Sequence, residues 1–132
     1  GLYPTENDFY AAKVDEVIDL ATDITAKIRP SLIEKDTEKR MEMRRELAET
    51  VLPNWLCFLE TLLDDNGKTG YFVDDSLTLA DLAAWRLCGW ISGGIIDGIP
   101  ETILDGFPLL IAHQNHISNL PKVAEWLEKS RK

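Results

Sequence analysis

Apolar residues recur at three- and four-residue steps along most of the chain, which is the spacing that places them on one face of an α-helix. The first segment of this kind spans about residues 9–29, with Asn7 or Asp8 to cap its start and Pro30 to end it. Strict alternation of apolar and polar residues never persists, so the pattern predicts helices and no β-strand. The apolar positions of this first helix are Val14, Val17, Ile18, Ala21, Ile24 and Ile28.

A second, longer helical pattern spans about residues 37–64. Pro53 lies inside it, and an interior proline removes one backbone hydrogen bond and crowds the preceding turn, so we expect a kink there. Residues 64–67 supply the turn chemistry that ends the helix. The apolar positions of this helix are Leu47, Val51, Leu52, Trp55, Leu56, Leu59, Leu62 and Leu63.

The third helix has the clearest start signal in the sequence. Thr78 is followed three residues later by Asp81, the spacing of a capping box in which each side chain accepts from the other residue's backbone N–H. Leu77 and Leu82 occupy the positions of the accompanying hydrophobic staple. We expect this helix to be central to the core, where the carboxylate of Asp81 must be hydrogen-bonded. Its predicted core positions are Leu79, Leu82, Ala83, Leu87 and Trp90.

The rest of the sequence predicts two shorter helices after an irregular link. Glycines and Pro100 interrupt residues 91–106, where we expect a short helix or an irregular connection. A helix then spans about residues 107–119 with Pro108 in its first turn, and a last short one follows Pro121. Together these elements predict a single all-α domain of about five or six helices over residues 1–132.

The charge balance is strongly acidic, with 23 acidic against 14 basic residues and a net charge of −9. Nucleic-acid binding depends on cationic contacts with phosphates, so this balance argues against it. Three aspartates, Asp15, Asp19 and Asp23, line up at four-residue steps, which indicates either a solvated face or a place where a cation binds. One basic run alternates with glutamates and predicts a salt-bridged, solvated helix face. That run consists of Lys35, Lys39, Arg40, Arg44 and Arg45.

No pattern predicts a metal centre, a catalytic motif or a membrane span. His113 and His116 lie three residues apart, but without a third ligand they indicate an ordinary polar helix face. Cys57 and Cys88 lie among apolar residues, which predicts buried, reduced cysteines in a cytoplasmic protein. No apolar stretch approaches the ~18–20 residues that a span needs, and no leader pattern opens the sequence, so we expect neither membrane insertion nor secretion.

Several short segments combine into a recognisable order. Residues 76–82 read Ser-Leu-Thr-Leu-Ala-Asp-Leu, residues 53–56 read Pro-Asn-Trp-Leu, and Phe-Pro-Leu-Leu at residues 107–110 leads into Asn-Leu-Pro-Lys-Val at residues 119–123. In this order and spacing they resemble the C-terminal domain of the glutathione S-transferase family. The opening Gly1-Leu2-Tyr3-Pro4 and residues 11–15 are similar to its sigma class, which includes glutathione-dependent prostaglandin D synthases.

The resemblance implies an all-helical domain whose full-length relatives also carry an N-terminal thioredoxin-like domain. That second domain binds glutathione and holds the tyrosine that activates the glutathione thiol. Tyr3, Tyr10 and Tyr71 do not match the catalytic position, so no catalytic residue is predicted in this chain. The implied assembly is a homodimer that conjugates or isomerises small electrophiles with glutathione, as in detoxification.

The resemblance also implies roles for individual residues. Asp23 on the first helix is expected to reach the glutamyl ammonium group of the glutathione bound to the partner subunit. Thr78 and Asp81 are expected to be structural, through the capping box. The residues expected to face the second-substrate pocket are Thr25, Ile28 and Arg29.

Two other functions remain compatible with the sequence. Helical domains of this kind also occur as non-catalytic interaction modules in translation factor and aminoacyl-tRNA synthetase complexes, where the acidic residues would form a docking surface. The second is that of a structural relative of the lens-crystallin type.

Overall fold

The computed structural model describes residues 2–130, which form α-helices joined by turns and loops and contain no β-strand. The predicted all-α class is therefore confirmed. Gly1, Arg131 and Lys132 lie outside the described residues. Gly1 is the first residue of the opening motif, and residues 131–132 are the end of the predicted domain. The helices are α1 (Asp8–Ile33), α2 (Thr37–Glu46), α3 (Leu52–Asp65), α4 (Leu79–Ser92), α5 (Pro108–Ser118) and α6 (Pro121–Ser130).

Helix α1 begins where the Asn7 side chain accepts a hydrogen bond from the first turn at 3.0 Å. The expectation that Pro30 ends this helix was wrong, because α1 includes Pro30 and continues to Ile33. Its last turn is held from outside: Arg44 donates to both the hydroxyl and the carbonyl oxygen of the buried Ser31. These bonds offset the backbone hydrogen bond that the proline removes.

Residues 37–65 form one continuous helical run, but its irregularity precedes Pro53. Between α2 and α3 the backbone makes a π-helical turn, Leu47–Val51. Pro53 follows directly after this π-helical turn, in the first turn of α3, so the irregularity lies in the turn that the proline crowds. The π-turn adds one residue to the helical repeat, so that Leu47 and Leu52 both remain buried.

The basic run in α2 is only partly the solvated face that its sequence predicts. Arg45 pairs with Glu42 at 2.6 Å on the surface. Arg44 contradicts the expectation: its side chain is buried, and its guanidinium donates to Ser31 Oγ at 2.8 Å, to the Ser31 carbonyl at 3.0 Å and to the Asp97 carbonyl. Burial lowers the pKa of Arg44. The side chain ties the end of α1 to the loop that follows α4.

Helix α4 occupies the centre of the domain, packed against α1 on one side and α5 on another. Its predicted core positions are buried to different degrees. Leu87 is buried, but Leu79 is 38% exposed, and Leu82, Ala83 and Trp90 are only partly buried. A helix with two neighbours buries two faces, and here a third face that also carries apolar residues stays open. The buried positions of α4 are Ala80, Asp81, Ala84, Leu87, Cys88 and Ile91.

The core is built by α1, α3, α4 and α5, together with buried residues of the π-helical turn, of the connector before α4 and of the link after it. Helix α6 contributes no buried residue and lies at the periphery, where the Trp126 ring meets that of Trp85 edge-on with 6.3 Å between centroids. The largest fully buried apolar side chains are Ile24, Ile28, Leu52, Leu56, Leu59, Ile91, Leu110 and Ile117.

Glu60 of α3 caps the start of α5. Its two carboxylate oxygens accept from the Leu109 and Leu110 N–H groups at 2.9 and 2.8 Å, and the residue before α5, Phe107, provides no side-chain cap. We expect Glu60→Ala to lower the free energy of unfolding by about 1–2 kcal/mol, because two N-terminal N–H groups lose a charged acceptor. Urea unfolding followed by circular dichroism measures this. An unchanged midpoint would contradict it, and Glu128→Ala, at an exposed position of α6, is the control.

Candidate functional site

An open cleft of about 730 Å³ lies between α1 and α4. Most of its lining is apolar or hydroxyl-bearing, and two arginines complete it. The lining residues of α1 follow the spacing i, i+3, i+4, i+7, i+8 and i+11, so they form one stripe beside the buried stripe of the same helix. The lining residues are Ile18, Ala21, Thr22, Thr25, Ala26, Arg29, Ala83, Arg86, Leu87 and Trp90.

The cleft contains two of the three residues expected to face a second-substrate pocket. Thr25 and Arg29 line it, four residues apart on the same face of α1. Ile28 does not, because it is fully buried on the core face of α1. Sequence reasoning missed the wall contributed by α4. Its only signal was an excess of apolar residues on that helix, which does not say which of them face the core.

The first member of the aspartate series holds the N-terminal segment of the chain. The Tyr3 hydroxyl donates to both carboxylate oxygens of Asp15, at 3.1 and 3.0 Å. This hydrogen bond to Asp15 raises the pKa of Tyr3. The Leu2 carbonyl accepts from the Leu79 N–H at 2.9 Å. The segment before α1 is therefore fixed against both helices that form the cleft.

Asp23 lies at an exposed position of α1, adjacent in sequence to the cleft-lining Thr22. Its cationic neighbour is Lys27 on the next turn, at 3.9 Å, and both side chains are more than half exposed. A contact this long between solvated groups is weak. The carboxylate therefore remains accessible to a cation from outside the chain.

Asp81 lies at the centre of a buried hydrogen-bond network. Its Oδ2 accepts from the Thr78 N–H at 2.9 Å, and its Oδ1 accepts from the Phe72 N–H at 2.9 Å and lies 2.9 Å from His113 Nε2. The Thr78 side chain is placed as in a capping box. Its hydroxyl, however, makes no hydrogen bond of normal geometry. The Asp81 N–H donates instead to the Thr78 carbonyl at 3.1 Å. Asp81 thus joins α4, α5 and the preceding connector.

The two histidines do not share one polar face. His113 is buried against Asp81, contrary to the expectation from sequence, while His116 is exposed and packs edge-on against Tyr71 with centroids 4.9 Å apart. Residues three apart on a helix diverge by about 60°, which is enough to place one toward the core and the other toward solvent. Within residues 2–130 no three His, Cys, Asp or Glu side chains are grouped to hold a metal ion.

The cysteines also differ from the expectation of two buried thiols. Cys88 is buried, and burial raises its pKa to about 12, but Cys57 is exposed. Cys57 lies on the outer side of α3, whose inner face carries Trp55, Leu56 and Leu59. No helix among residues 2–130 is both long enough and apolar enough to cross a membrane.

Comparison with known proteins gives one consistent family. Residues 22–130 match the family described as Glutathione S-transferase, C-terminal domain. A glutathione S-transferase of Plasmodium yoelii yoelii is 34% identical over 121 residues, which cover 92% of this chain and 51% of that protein. The chain therefore spans about half the length of this curated relative.

Solved structures agree at the level of the fold. The structure of a Nu-class glutathione S-transferase from Haemonchus contortus matches with a TM-score of 0.78 and 28% identity, over 96% of this chain and 59% of that one. A prostaglandin synthase D of Nilaparvata lugens matches with a TM-score of 0.84 over 98% of this chain and 61% of that one. Its sequence identity is 22%, so this second likeness is one of fold alone.

Proposed function

The chain belongs to the glutathione S-transferase family, to its C-terminal domain, and on that premise we propose that it forms the electrophile-binding half of a glutathione transferase. The observation that carries the proposal is the open cleft between α1 and α4, with an apolar lining suited to a small organic substrate. In the proposed reaction the glutathione sulfur forms a bond to an electrophilic carbon. In a conjugation the leaving group departs with the electrons of its bond to that carbon, and in an isomerisation the carbon–sulfur bond breaks again to release the product and free glutathione.

The chain supplies a place for the electrophile but no group to activate a thiol. Neither Tyr3 nor Tyr10 lines the cleft, and the Tyr3 hydroxyl already donates a hydrogen bond to Asp15. A hydroxyl committed in this way does not stabilise a thiolate. We therefore assign thiol activation and glutathione binding to a thioredoxin-like domain that precedes residue 2. The contacts of Leu2 with the start of α4 and of Tyr3 with α1 support this arrangement, because they fix the beginning of the described chain against the two helices that line the cleft.

We further propose a homodimer in which Asp23 binds the ammonium group of the glutathione held by the partner subunit. Its exposure and its weak pairing with Lys27 support this role. Both cysteines are free, which fits a reducing compartment such as the cytoplasm.

The proposal is tested by assaying conjugation of glutathione with 1-chloro-2,4-dinitrobenzene. The polypeptide that joins this chain to its upstream coding sequence is expected to be active, and residues 1–132 alone are expected to be inactive. Failure of the longer polypeptide to bind or use glutathione would reject the enzyme and favour an interaction module.

In that longer polypeptide, Asp23→Asn is expected to raise the KM for glutathione about threefold to tenfold while kcat changes little, because a charge contact to the bound tripeptide is lost. Steady-state kinetics with varied glutathione measures this. The matched control is Asp19→Asn, one turn away on the same helix. Equal effects of the two variants would show that the general negative charge of α1 matters and not a contact by Asp23.

A further inference from the structure

We propose that Asn66 is a deamidation site that the native fold protects, and that its conversion to aspartate prevents the connector between α3 and α4, residues 66–78, from closing again once it has opened. The inference concerns a covalent modification and does not rest on the proposed transferase function. Its basis in the sequence is the single Asn-Gly pair of the chain, Asn66-Gly67, since the other asparagines precede larger residues.

The reaction needs only the chain and water. The Gly67 backbone nitrogen attacks Cγ of Asn66, a carbon–nitrogen bond forms, and the bond from Cγ to the side-chain nitrogen breaks. That nitrogen leaves as ammonia, with the proton that the backbone nitrogen has lost. Water then adds to either carbonyl of the succinimide ring and breaks its bond to the ring nitrogen, which gives aspartate or isoaspartate. Gly67 favours the first step because it has no side chain to crowd the attacking nitrogen.

The native connector holds the nitrogen that has to leave. Asn66 Nδ2 donates to the Tyr71 carbonyl at 2.9 Å, to the Asp74 carbonyl at 2.8 Å and to Thr69 Oγ1 at 3.1 Å. Because carbonyl oxygens can only accept, these contacts require the nitrogen of the amide, and not its oxygen, to face the connector. The side chain reaches the geometry for cyclisation only when these bonds break.

The backbone around the pair is held as well. The Gly67 N–H donates to the Asp64 carbonyl at 3.1 Å, at the end of α3. Lys68 and Asp74 have φ angles of 59° and 54°, in the left-handed region that residues other than glycine rarely adopt. Such conformations persist where surrounding contacts impose them, and at Asp74 one such contact is the hydrogen bond from Asn66. Deamidation therefore requires a local opening of the connector.

The product cannot restore the closed connector. A carboxylate has no hydrogen to donate, so the Tyr71 and Asp74 carbonyls lose their donor and face a second acceptor. The new negative charge directly follows Asp64 and Asp65 in the chain, which adds repulsion between like charges. Isoaspartate in addition lengthens the backbone by a carbon atom. A transient opening is thereby made permanent.

The protection is tested by incubating the 132-residue chain at physiological pH, in buffer and in denaturing guanidinium chloride, followed by tryptic digestion and mass spectrometry. Residues 46–68 form one tryptic peptide that contains both Asn66 and Asn54, which precedes a tryptophan and is the internal control. We expect residue 66 to deamidate about tenfold or more faster in the unfolded chain, because the fold keeps most molecules closed. Asn54 should remain slow in both. Equal rates at residue 66 overturn the proposal.

Thr69→Ala tests whether the hydrogen bonds of the connector give the protection. The Thr69 hydroxyl accepts from the Asn66 amide and donates to the Asp74 carbonyl at 3.0 Å. Its loss is expected to speed deamidation in buffer about threefold to tenfold, in a variant whose circular dichroism shows it folded. The control, Thr61→Ala, removes a hydroxyl that bonds within its own helix and should react at the wild-type rate. A wild-type rate in Thr69→Ala, or equal acceleration in both variants, contradicts the proposal.

Asn66→Asp contains the aspartate product from the start and tests its consequence. We expect the amides of residues 69–75 to exchange with solvent about tenfold or more faster than in the wild type, while the amides of α1 exchange as before. The control, Asn54→Asp, adds the same charge at an exposed position of α3 and should leave the connector protected. Wild-type exchange of the connector in Asn66→Asp overturns the proposal, because the product would then leave the connector closed.

Discussion

Replacing Asp81 with alanine is expected to lower the free energy of unfolding by about 3–5 kcal/mol, because a fully buried carboxylate is removed from three partners. The backbone N–H groups of Phe72 and Thr78 lose their acceptor, and His113 loses the oxygen 2.9 Å from its Nε2. None of these groups reaches water in the folded state to compensate. Urea unfolding followed by tryptophan fluorescence measures the loss.

Two controls locate the effect. Asp75→Ala removes an exposed carboxylate from the same connector and should leave the unfolding midpoint nearly unchanged. Asp81→Asn keeps one oxygen acceptor and the side-chain shape, so it should be less damaging than alanine. If Asp81→Ala unfolds with the wild-type midpoint, the network is not structural. Loss of glutathione conjugation in a variant that retains wild-type stability would give Asp81 a role in the reaction instead.

Arg44→Ala is expected to lower the free energy of unfolding by about 2–4 kcal/mol, through lost hydrogen bonds and lost packing of the side-chain stem. The guanidinium connects Ser31 at the end of α1 with the Asp97 carbonyl in the loop after α4. The loop is built to fit it: a Cβ on Gly98, whose φ is +89°, would lie 2.9 Å from the Arg44 Cβ.

The neighbouring Arg45 is the matched control for Arg44. It carries the same charge on the same helix, but its partner is Glu42 on the surface. Arg45→Ala should hardly change the unfolding midpoint, since exposed pairs stabilise little. Equal midpoints for the two variants would mean that the buried contacts of Arg44 add nothing. Hydrogen exchange in residues 93–107 gives a second readout, because those amides should exchange faster in Arg44→Ala only.

The helix starts follow from the sequence because their causes are local. Asn7 caps α1, Thr78 and Asp81 mark the start of α4, and Pro108 and Pro121 begin α5 and α6. Each of these signals acts within one helical turn, between residues close in the chain. The family resemblance rests largely on the same local signals.

Pro30 shows where local reasoning ends. It was expected to end its helix, yet α1 passes through it. At Pro53 the expected disturbance takes the form of a π-helical turn directly before the proline. In the first case, contacts from Arg44, distant in the chain, hold the turn that the proline weakens. The local destabilisation of a helix by proline can be predicted from sequence, but the distant contacts that compensate for it cannot.

The candidate site divides in the same way. Thr25 and Arg29 could be selected from one helix, because four-residue spacing puts them on one face. To identify Arg86 as a lining residue and to exclude Ile28, the packing of α4 on α1 had to be known. The sequence by itself determined the positions of most helices, the capping residues Asn7 and Asp81 and the acidic charge, since those depend on composition and on neighbours along the chain. Only the tertiary structure decided which polar groups are buried and where the cleft opens, because burial depends on helices that are far apart in sequence.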